Sequence, residues 1–412
     1  MVFFQDGFIM GVALRAVPPA LRGLVMSMRG CCFTGRIVFL LVCVAGHASA
    51  WAADSVGRKH MPAALAHRTD AAIDRALTTL ARAQQPDGGW KGVPTTDPAI
   101  TSLVAKCFVQ SPAYGPNHPI VERALDFVLK HQKPDGGIYP AGGYGLNNYY
   151  TSVCLMFLAS IGDDALVPQI DRARKYLTKL QWDEGEDRAS TDSWFGGAGY
   201  GKHKRPDLSN TQYMLESLKQ SGLPSTDPVY RKALKFIERC QMLSETNDQP
   251  FARGADNGGF IYTAANDGES KAGTELSGGR VMLRSYGTMT YAGFKSMLYA
   301  DVDRDDPKIQ RALDWIGKHY TLEENPNMPG QQSRQGLYYY YHVFARAWLA
   351  WSEPVFTDAE GVKHNWRVDL CEKLLSLQSQ SGGWVNDAAR WEEGNPDYVT
   401  ALAVLSLQTA LR

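Results

Sequence analysis

The chain has 412 residues, with 43 Lys+Arg against 43 Asp+Glu. That balance argues against a nucleic-acid partner, which usually needs a basic stripe to meet phosphate. Its 44% hydrophobic and 21% charged residues are the make-up of a globular chain, not a disordered one.

No apolar run reaches the roughly 18 residues of a membrane span. The longest, Ile37 to Ala45, follows Arg29 and Arg36 and precedes Ala48-Ser49-Ala50. A positive stretch, a short apolar core and a small-x-small site spell a secretory signal peptide over 1–52, cut after Ala50 or Ala52. The competing reading is a buried hydrophobic strand. Residues 1–25 are long for the positive region, which points to a start at Met26 or Met28. The expected destination is the periplasm or the cell exterior. Cys43 lacks the small residue before it that a lipid anchor prefers. Export removes Cys31, Cys32 and Cys43 and leaves Cys107, Cys154, Cys240 and Cys371, widely spaced and without a C-x-x-C. Export permits disulfides, but buried thiols are expected, with Cys107 and Cys154 the one pair to test. Residues 53–69 read as a linker and 70–412 as one repeat domain.

Six times the chain runs through one pattern. Arg75-Ala76-Leu77 leads to Gln84 and Gly88-Gly89-Trp90. Arg123-Ala124-Leu125 leads to Gln132 and Gly136-Gly137-Ile138. Arg172-Ala173 leads to Gln181 and Gly196-Gly197, and Lys232-Ala233-Leu234 leads to Gln241 and Gly258-Gly259-Phe260. Arg311-Ala312-Leu313 leads to Tyr320 in place of Gln, then Gly336-Leu337-Tyr338. Leu370 leads to Gln378 and Gly382-Gly383-Trp384. Each unit reads as helix, Gly-rich turn, helix. The Gln amide is expected to bond the orphan carbonyls of its own helix end. Second helices begin near Asp97, Asn148, Ser209, Ser285, Leu337 and Asp397, with apolar residues at i, i+3, i+4 and i+7. The anchors Ala76, Ala124, Ala173, Ala233, Ala312 and Leu370 are 48, 49, 60, 79 and 58 apart. An open solenoid holds a tighter period. The drift, confined to the turns, predicts an all-α (α/α)6 toroid of six helical hairpins, with twelve helices in two concentric layers.

The Gln…Gly-Gly-Trp turn in tandem hairpins resembles the repeat of squalene cyclases and protein prenyltransferase β-subunits, over about residues 70–412. Secreted bacterial repeat proteins of unestablished activity are the nearest likeness. The resemblance implies inner and outer helical rings around an apolar cavity in which isoprenoid chains bind. The family's chemistry is not matched. Cyclases protonate an alkene with Asp-x-Asp-Asp-Thr-Ala; here Asp303-Arg304-Asp305-Asp306 runs into Pro307-Lys308. That turn falls at the ring end away from the Gly-rich turns and reads as a helix cap. A calcium loop on Asp301, Asp303 and Asp305 is the second reading, a cyclase acid the third. Prenyltransferases hold zinc through an Asp-x-Cys that here reads Ser285-Tyr286-Gly287. His342 alone cannot hold zinc. The Cys-Gly-Glu-Gln of complement-type thioester toroids is absent. No cofactor or metal is expected.

The inner-helix starts supply the candidate ligand-binding residues: Asn148, Tyr149, Asp207, Asn210, Arg284, Tyr286, Tyr340, His342, Asp397 and Tyr398. For Asp97, Asp207 and Asp397 the plainer reading is N-capping, worth roughly 1 kcal/mol each. Of the four tyrosines Tyr338 to Tyr341, one or two must face the cavity at 100° per residue. The insertion 242–284 would sit over the mouth as a lid or as surface elaboration. The first functional expectation is an exported, metal-free, terpenoid cyclase-like toroid that holds an apolar or amphiphilic small molecule, a lipid or an isoprenoid. A protein-binding scaffold is the second. A polysaccharide lyase-like enzyme is the third; it would use Tyr, His and Asn, with Arg284 neutralising a uronate carboxylate. The oligomeric state is left open.

Overall fold

A computed structural model describes residues 56–92, 95–142 and 145–412. The signal-peptide reading of 1–52 lies outside the described residues. Among the described residues thirteen α-helices carry the fold, the first a short one, α1 (Val56–Lys59). Six outer helices follow the repeat: α2 (Ala63–Ala83), α4 (Pro119–Leu129), α6 (Val167–Thr178), α8 (Pro228–Cys240), α10 (Pro307–Lys318) and α12 (Trp366–Leu377). Six inner helices alternate with them: α3 (Pro98–Val109), α5 (Asn147–Ile161), α7 (Leu208–Gln220), α9 (Gly287–Tyr299), α11 (Leu337–Trp351) and α13 (Pro396–Ala410). The first outer helix thus starts inside the segment read as linker. Each inner helix packs on the next, and α13 packs back on α3, so the ring is closed. Gly57 N–H also donates to the Arg412 carbonyl at 2.7 Å, tying the first described turn to the last residue. Strands occur among the described residues only as four two-stranded antiparallel pairs.

The two layers differ as their sequences dictate. The outer helix α8 buries Val229, Tyr230, Ala233, Phe236, Ile237 and Cys240, one stripe of an amphipathic helix. Inner helices are buried on every side, as in the run from Tyr398 to Ala410 of α13. Each layer supplies one side of the contact. The six repeat anchors from Ala76 to Leu370 are fully buried, five of them Ala, which lets outer helices approach closely. Asp before Pro starts α3, α8 and α10: Asp97, Asp227 and Asp306 accept backbone N–H bonds, while Pro occupies a position with no donor to lose.

The repeat signature is an inter-unit latch, which corrects the reading of Gln as a cap on its own helix. Gln84 Nε2 donates to the Gly88 carbonyl and to the Ile120 carbonyl of the next outer helix, both at 2.9 Å. Gln132 bridges Gly136 and Gln169, Gln181 bridges Gly196 and Val229, and Gln241 bridges Gly258 and Lys308. Gln378 bridges Gly382 and Ala72, which closes the ring. The first Gly of each pair lies on the carbonyl before the next anchor: a Cβ on Gly136 would meet the Arg172 oxygen at 2.4 Å. In the fifth unit Tyr320 substitutes, its hydroxyl donating to Asp369 at 2.9 Å. A second tie went unnoticed in the sequence. The residue after each Gly pair donates its N–H to a Thr hydroxyl on the inner helix: Trp90 to Thr101, Ile138 to Thr151, Ala198 to Thr211, Phe260 to Thr290 and Trp384 to Thr400.

Inner helices therefore all start at the Gly-rich end. The Asp303–Asp306 turn follows the C-terminus of α9 and lies at the other end, beside the C-termini of α7 and α11, through Lys219–Asp301 at 3.6 Å and Arg304 on the Trp351 carbonyl at 2.6 Å. The cap there is Asp306, bonded to Lys308 N–H, and not Asp305, which is exposed. Cys107, Cys154, Cys240 and Cys371 are free and buried. No described helix is long and apolar enough to cross a membrane.

Candidate ligand cavity

At the Gly-rich end the ring opens into a cavity of about 600 Å³, within the size range of small-molecule sites. Eight tyrosines line it: Tyr149, Tyr150, Tyr200, Tyr213, Tyr262, Tyr286, Tyr339 and Tyr398, with Ile100, Leu146 and Met289 between them. They come from the first two turns of inner helices and from the loops between the helices. The rings brace one another. Tyr149 meets Tyr213 edge-on at 5.2 Å, and Tyr213 stacks on Tyr339 at 5.7 Å. Arg205, Lys271 and Arg390 sit on the same lining, with Asp97 and Glu392. Arg205 and Lys271 both pair with Glu269. The insertion 242–284 contributes Tyr262 and Lys271.

Of the ten candidates, Tyr149, Asn210, Tyr286 and Tyr398 line the cavity and six do not. Asn148 is buried; its amide donates to the Gly199 carbonyl at 2.8 Å and accepts from Ser152, so it braces the turn that carries Tyr200. Asp207 caps α7, accepting both the backbone and side-chain N–H groups of Asn210 at 2.8 Å. Arg284 bonds the Thr274 carbonyl at the root of the hairpin formed by Thr274–Ser277 and Arg280–Leu283. Asp397 is not the cap of α13; Asn395 is. Tyr340 and Tyr341 turn outward and donate to the Thr321 and Leu322 carbonyls at 2.7 Å. Tyr339 is the member of the run that reaches the cavity. The run fixed the angular spacing of the four rings but not which one faced inward. His342 lies one turn deeper, buried, with no partner on Nδ1; burial lowers its pKa to about 3 and keeps it neutral.

Below the tyrosines, charged side chains close the ring axis. Lys295 of α9 bonds Gln212 at 2.6 Å and pairs with Glu216 of α7. Arg346 of α11 meets the other Glu216 oxygen at 2.6 Å. Lys106 of α3 donates to Gln220 at 2.6 Å, and Gln220 donates to Glu216 at 2.8 Å. Burial alone would raise the Glu216 pKa, but Lys295 and Arg346 outweigh it and hold the carboxylate far below its usual range.

The chemistry the cavity can do is limited by what faces it. Burial raises the pKa of every lining tyrosine, so none is poised as a phenolate base. Asp97 accepts from Ala99 and Ile100 N–H and from the Tyr150 hydroxyl at 2.8 Å. Burial raises its pKa, yet all three partners donate to it and favour the ionised form. Burial is the larger effect, so the net shift is upward. No group of three His, Cys, Asp or Glu able to hold a metal occurs among the described residues.

The 386–395 loop forms part of the rim. Trp391 and Glu392 both adopt left-handed backbone, at φ 57° and 66°, an unusual conformation for a bulky residue. Glu393 beside them is buried and anchors the loop: it accepts the Tyr339 N–H at 2.7 Å and is bonded by Asn386. Burial pushes its carboxyl up to about 7, above the 4.5 of the free group. As pH rises from about 4.5 to about 7 the unfolded chain gives up this proton first, so the folded state loses relative stability. Asp207, raised by burial to about 6, acts in the same direction from 3.8 upward. The melting temperature should therefore fall between pH 5 and 7.5, and fall less in Glu393→Gln. Identical profiles for the two proteins would show that Glu393 is ionised throughout.

A family model of the squalene-hopene cyclase C-terminal domain matches residues 91–260. Among solved structures, a variant of the type II terpene cyclase MstE from Scytonema, in complex with its substrate geranylgeranyl dihydroxybenzoate, superposes with a TM-score of 0.53 at 15% identity over 85% of this chain and 99% of that one. A family 76 glycoside hydrolase from a bovine Bacteroides thetaiotaomicron strain gives 0.51 at 11% identity, over 83% of this chain and 76% of that one. A D-mannose isomerase gives 0.51 at 12%, over 82% and 96%. No curated protein matches by sequence. The chain is a squalene cyclase-like all-α toroid, and at these identities the likeness concerns the fold alone.

Proposed function

We propose that the protein is exported and binds an amphiphilic, isoprenoid- or lipid-like small molecule in its central cavity, without a cyclase acid or a zinc ion. The observation that carries this reading is the wall: eight tyrosines with Ile100, Leu146 and Met289 around about 600 Å³. A tyrosine offers an apolar face and a polar edge, which suits a ligand with both characters. The substrate named for MstE, a geranylgeranyl chain on a dihydroxybenzoate, is built in that way. Against a cyclase acid stand the three donors on Asp97 and the capping role of Asp306 at the far end. A lyase would need Arg284 beside a tyrosine base, but Arg284 is engaged at the hairpin root and burial keeps the phenols protonated. A scaffold would be expected to fill the ring with side chains, whereas here about 600 Å³ stays open.

Native mass spectrometry of protein purified from its own host tests this. A solvent-extractable amphiphile retained by the wild type and lost in Tyr286→Ala is the expected result. An empty chain, or a bound oligosaccharide, would overturn it.

A further inference from the structure

One hairpin of the 242–284 insertion stands at the cavity mouth with apolar side chains uncovered. Its strands, Thr274–Ser277 and Arg280–Leu283, are joined by Gly278 and Gly279. Both glycines lie at positive φ, 56° and 76°, as a tight two-residue turn demands. Leu276 and Val281 are direct cross-strand partners, so their side chains share a face. They are 76% and 74% exposed, the highest values among the large apolar side chains described. Met282, on the opposite face, is buried and anchors the hairpin to the body. The root is fastened as well: Arg284 N–H donates to the Gly273 carbonyl at 3.0 Å, and the Ser270 hydroxyl to the Arg284 carbonyl at 2.5 Å. Lys271, just before the root, and Tyr286, just after it, both line the cavity. The hairpin therefore rises from the rim itself.

An apolar pair on a protruding, two-edged strand pair invites aggregation unless something covers it. The surroundings indicate the cover. Arg253 and Arg280 beside the tip are exposed; Arg280 donates to the Arg253 carbonyl at 3.4 Å, and neither is in an ion pair among the described residues. Trp391 and Tyr200, the two aromatics among the exposed large apolar side chains, stand on the cavity lining. Apolar tip, unpaired arginines and half-exposed aromatic rings at one end suit the interface of an anionic bilayer. A second copy of this hairpin would bring the same two cations, and its one acid, Glu275, already lies 3.9 Å from Arg284.

We propose that this hairpin seats the protein on an anionic lipid surface, with Leu276 and Val281 entering the interface and the cavity mouth beside it. The contact would let an amphiphile pass from the bilayer into the cavity. That purpose rests on the cavity reading; the docking itself needs no cavity ligand.

Protein purified from its own host is mixed with vesicles of phosphatidylcholine, alone or with equal phosphatidylglycerol, and pelleted. Wild type should pellet with the mixed vesicles. Leu276→Ser/Val281→Ser should partition at least about tenfold more weakly, the scale of returning two apolar side chains to water. Its melting temperature should hold, since both side chains are already exposed. Arg280→Gln should lose about fivefold on the mixed vesicles, the worth of one cation at an anionic surface, and nothing on phosphatidylcholine alone. Val355→Ser/Val362→Ser is the control: these valines are exposed too, but they follow the C-terminus of α11 at the other end of the ring. The control should bind as the wild type does. No pelleting by the wild type, equal pelleting by the hairpin variant, or an equal loss in the control would overturn the proposal. So would a dimer in sedimentation velocity that the hairpin variant dissolves, because the hairpin would then hold a second copy. Pelleting reads the hairpin and ligand retention reads the cavity, so either reading can fail alone.

Discussion

Replacing Glu216 with Gln should destabilise the protein by roughly 3–5 kcal/mol, the scale of breaking a buried ion pair from one side. Glu216 is 1% exposed and Lys295 is fully buried. Glu216 is the carboxylate that meets both Lys295 and Arg346. Neutralising it leaves two cations facing each other across the ring axis, with Lys106 near by. The Glu216 pKa is depressed, so its contribution is present above about 4.5 and is lost as pH falls toward the folded value. Adding Lys295→Met to the variant should recover part of the loss by removing one of the stranded charges. Glu372→Gln, which breaks the exposed Arg68–Glu372 pair, should change little. If Glu216→Gln and Glu372→Gln lost similar amounts in urea melts, the axial network would not be a buried one. The geometry gives the network a purpose: it stoppers the ring below the tyrosines and leaves the tyrosine end open.

The sequence made some of this legible. The six anchors, five Gln and Gly-Gly turns located twelve helices, because a latch made by residues in fixed order recurs in register. The partners of the latch were harder to find. The Gln amide reaches a carbonyl in the next unit, some 36 residues away for Gln84 to Ile120, and no local pattern points there. The Thr tie escaped because its spacing runs from 11 residues, for Trp90 and Thr101, to 30, for Phe260 and Thr290, as the loops grow. The axial network did leave a trace: Lys106, Lys295 and Arg346 are charges in largely apolar helices, and with Glu216 they stand at nearly the same depth from each helix start. Four of the cavity residues were found because inner-helix starts were known to converge. Tyr200 and Tyr262 were not, since they sit on turns whose path the repeat does not set.

Gly196→Ala should cost roughly 3 kcal/mol or more and act on the ring as a whole. Two separate penalties meet at this residue. Its φ of +84° suits Gly alone, and an L side chain there is strained by about 1–2 kcal/mol. A Cβ would also stand 1.8 Å from the Lys232 carbonyl oxygen of α8, the closest such approach among the latch glycines. That neighbour is helical backbone and cannot rotate away, so unit four must shift outward, at an overpacking cost of 1–3 kcal/mol. The shift would pull on Gln181, which holds the Gly196 and Val229 carbonyls at 2.9 Å, and on Ala198, tied to Thr211. Thr211 lies between Asn210 and Gln212 at the start of α7, so the same displacement reaches the cavity wall. Gly142 is the natural control: φ is +75°, but nothing lies within 4 Å of its Cβ. Gly142→Ala should therefore carry the strain penalty alone, about 1–2 kcal/mol. Thermal melts that rank the two variants equally would mean that the latch yields to the added methyl, and that ring closure does not depend on the close approach of Gly to the next outer helix.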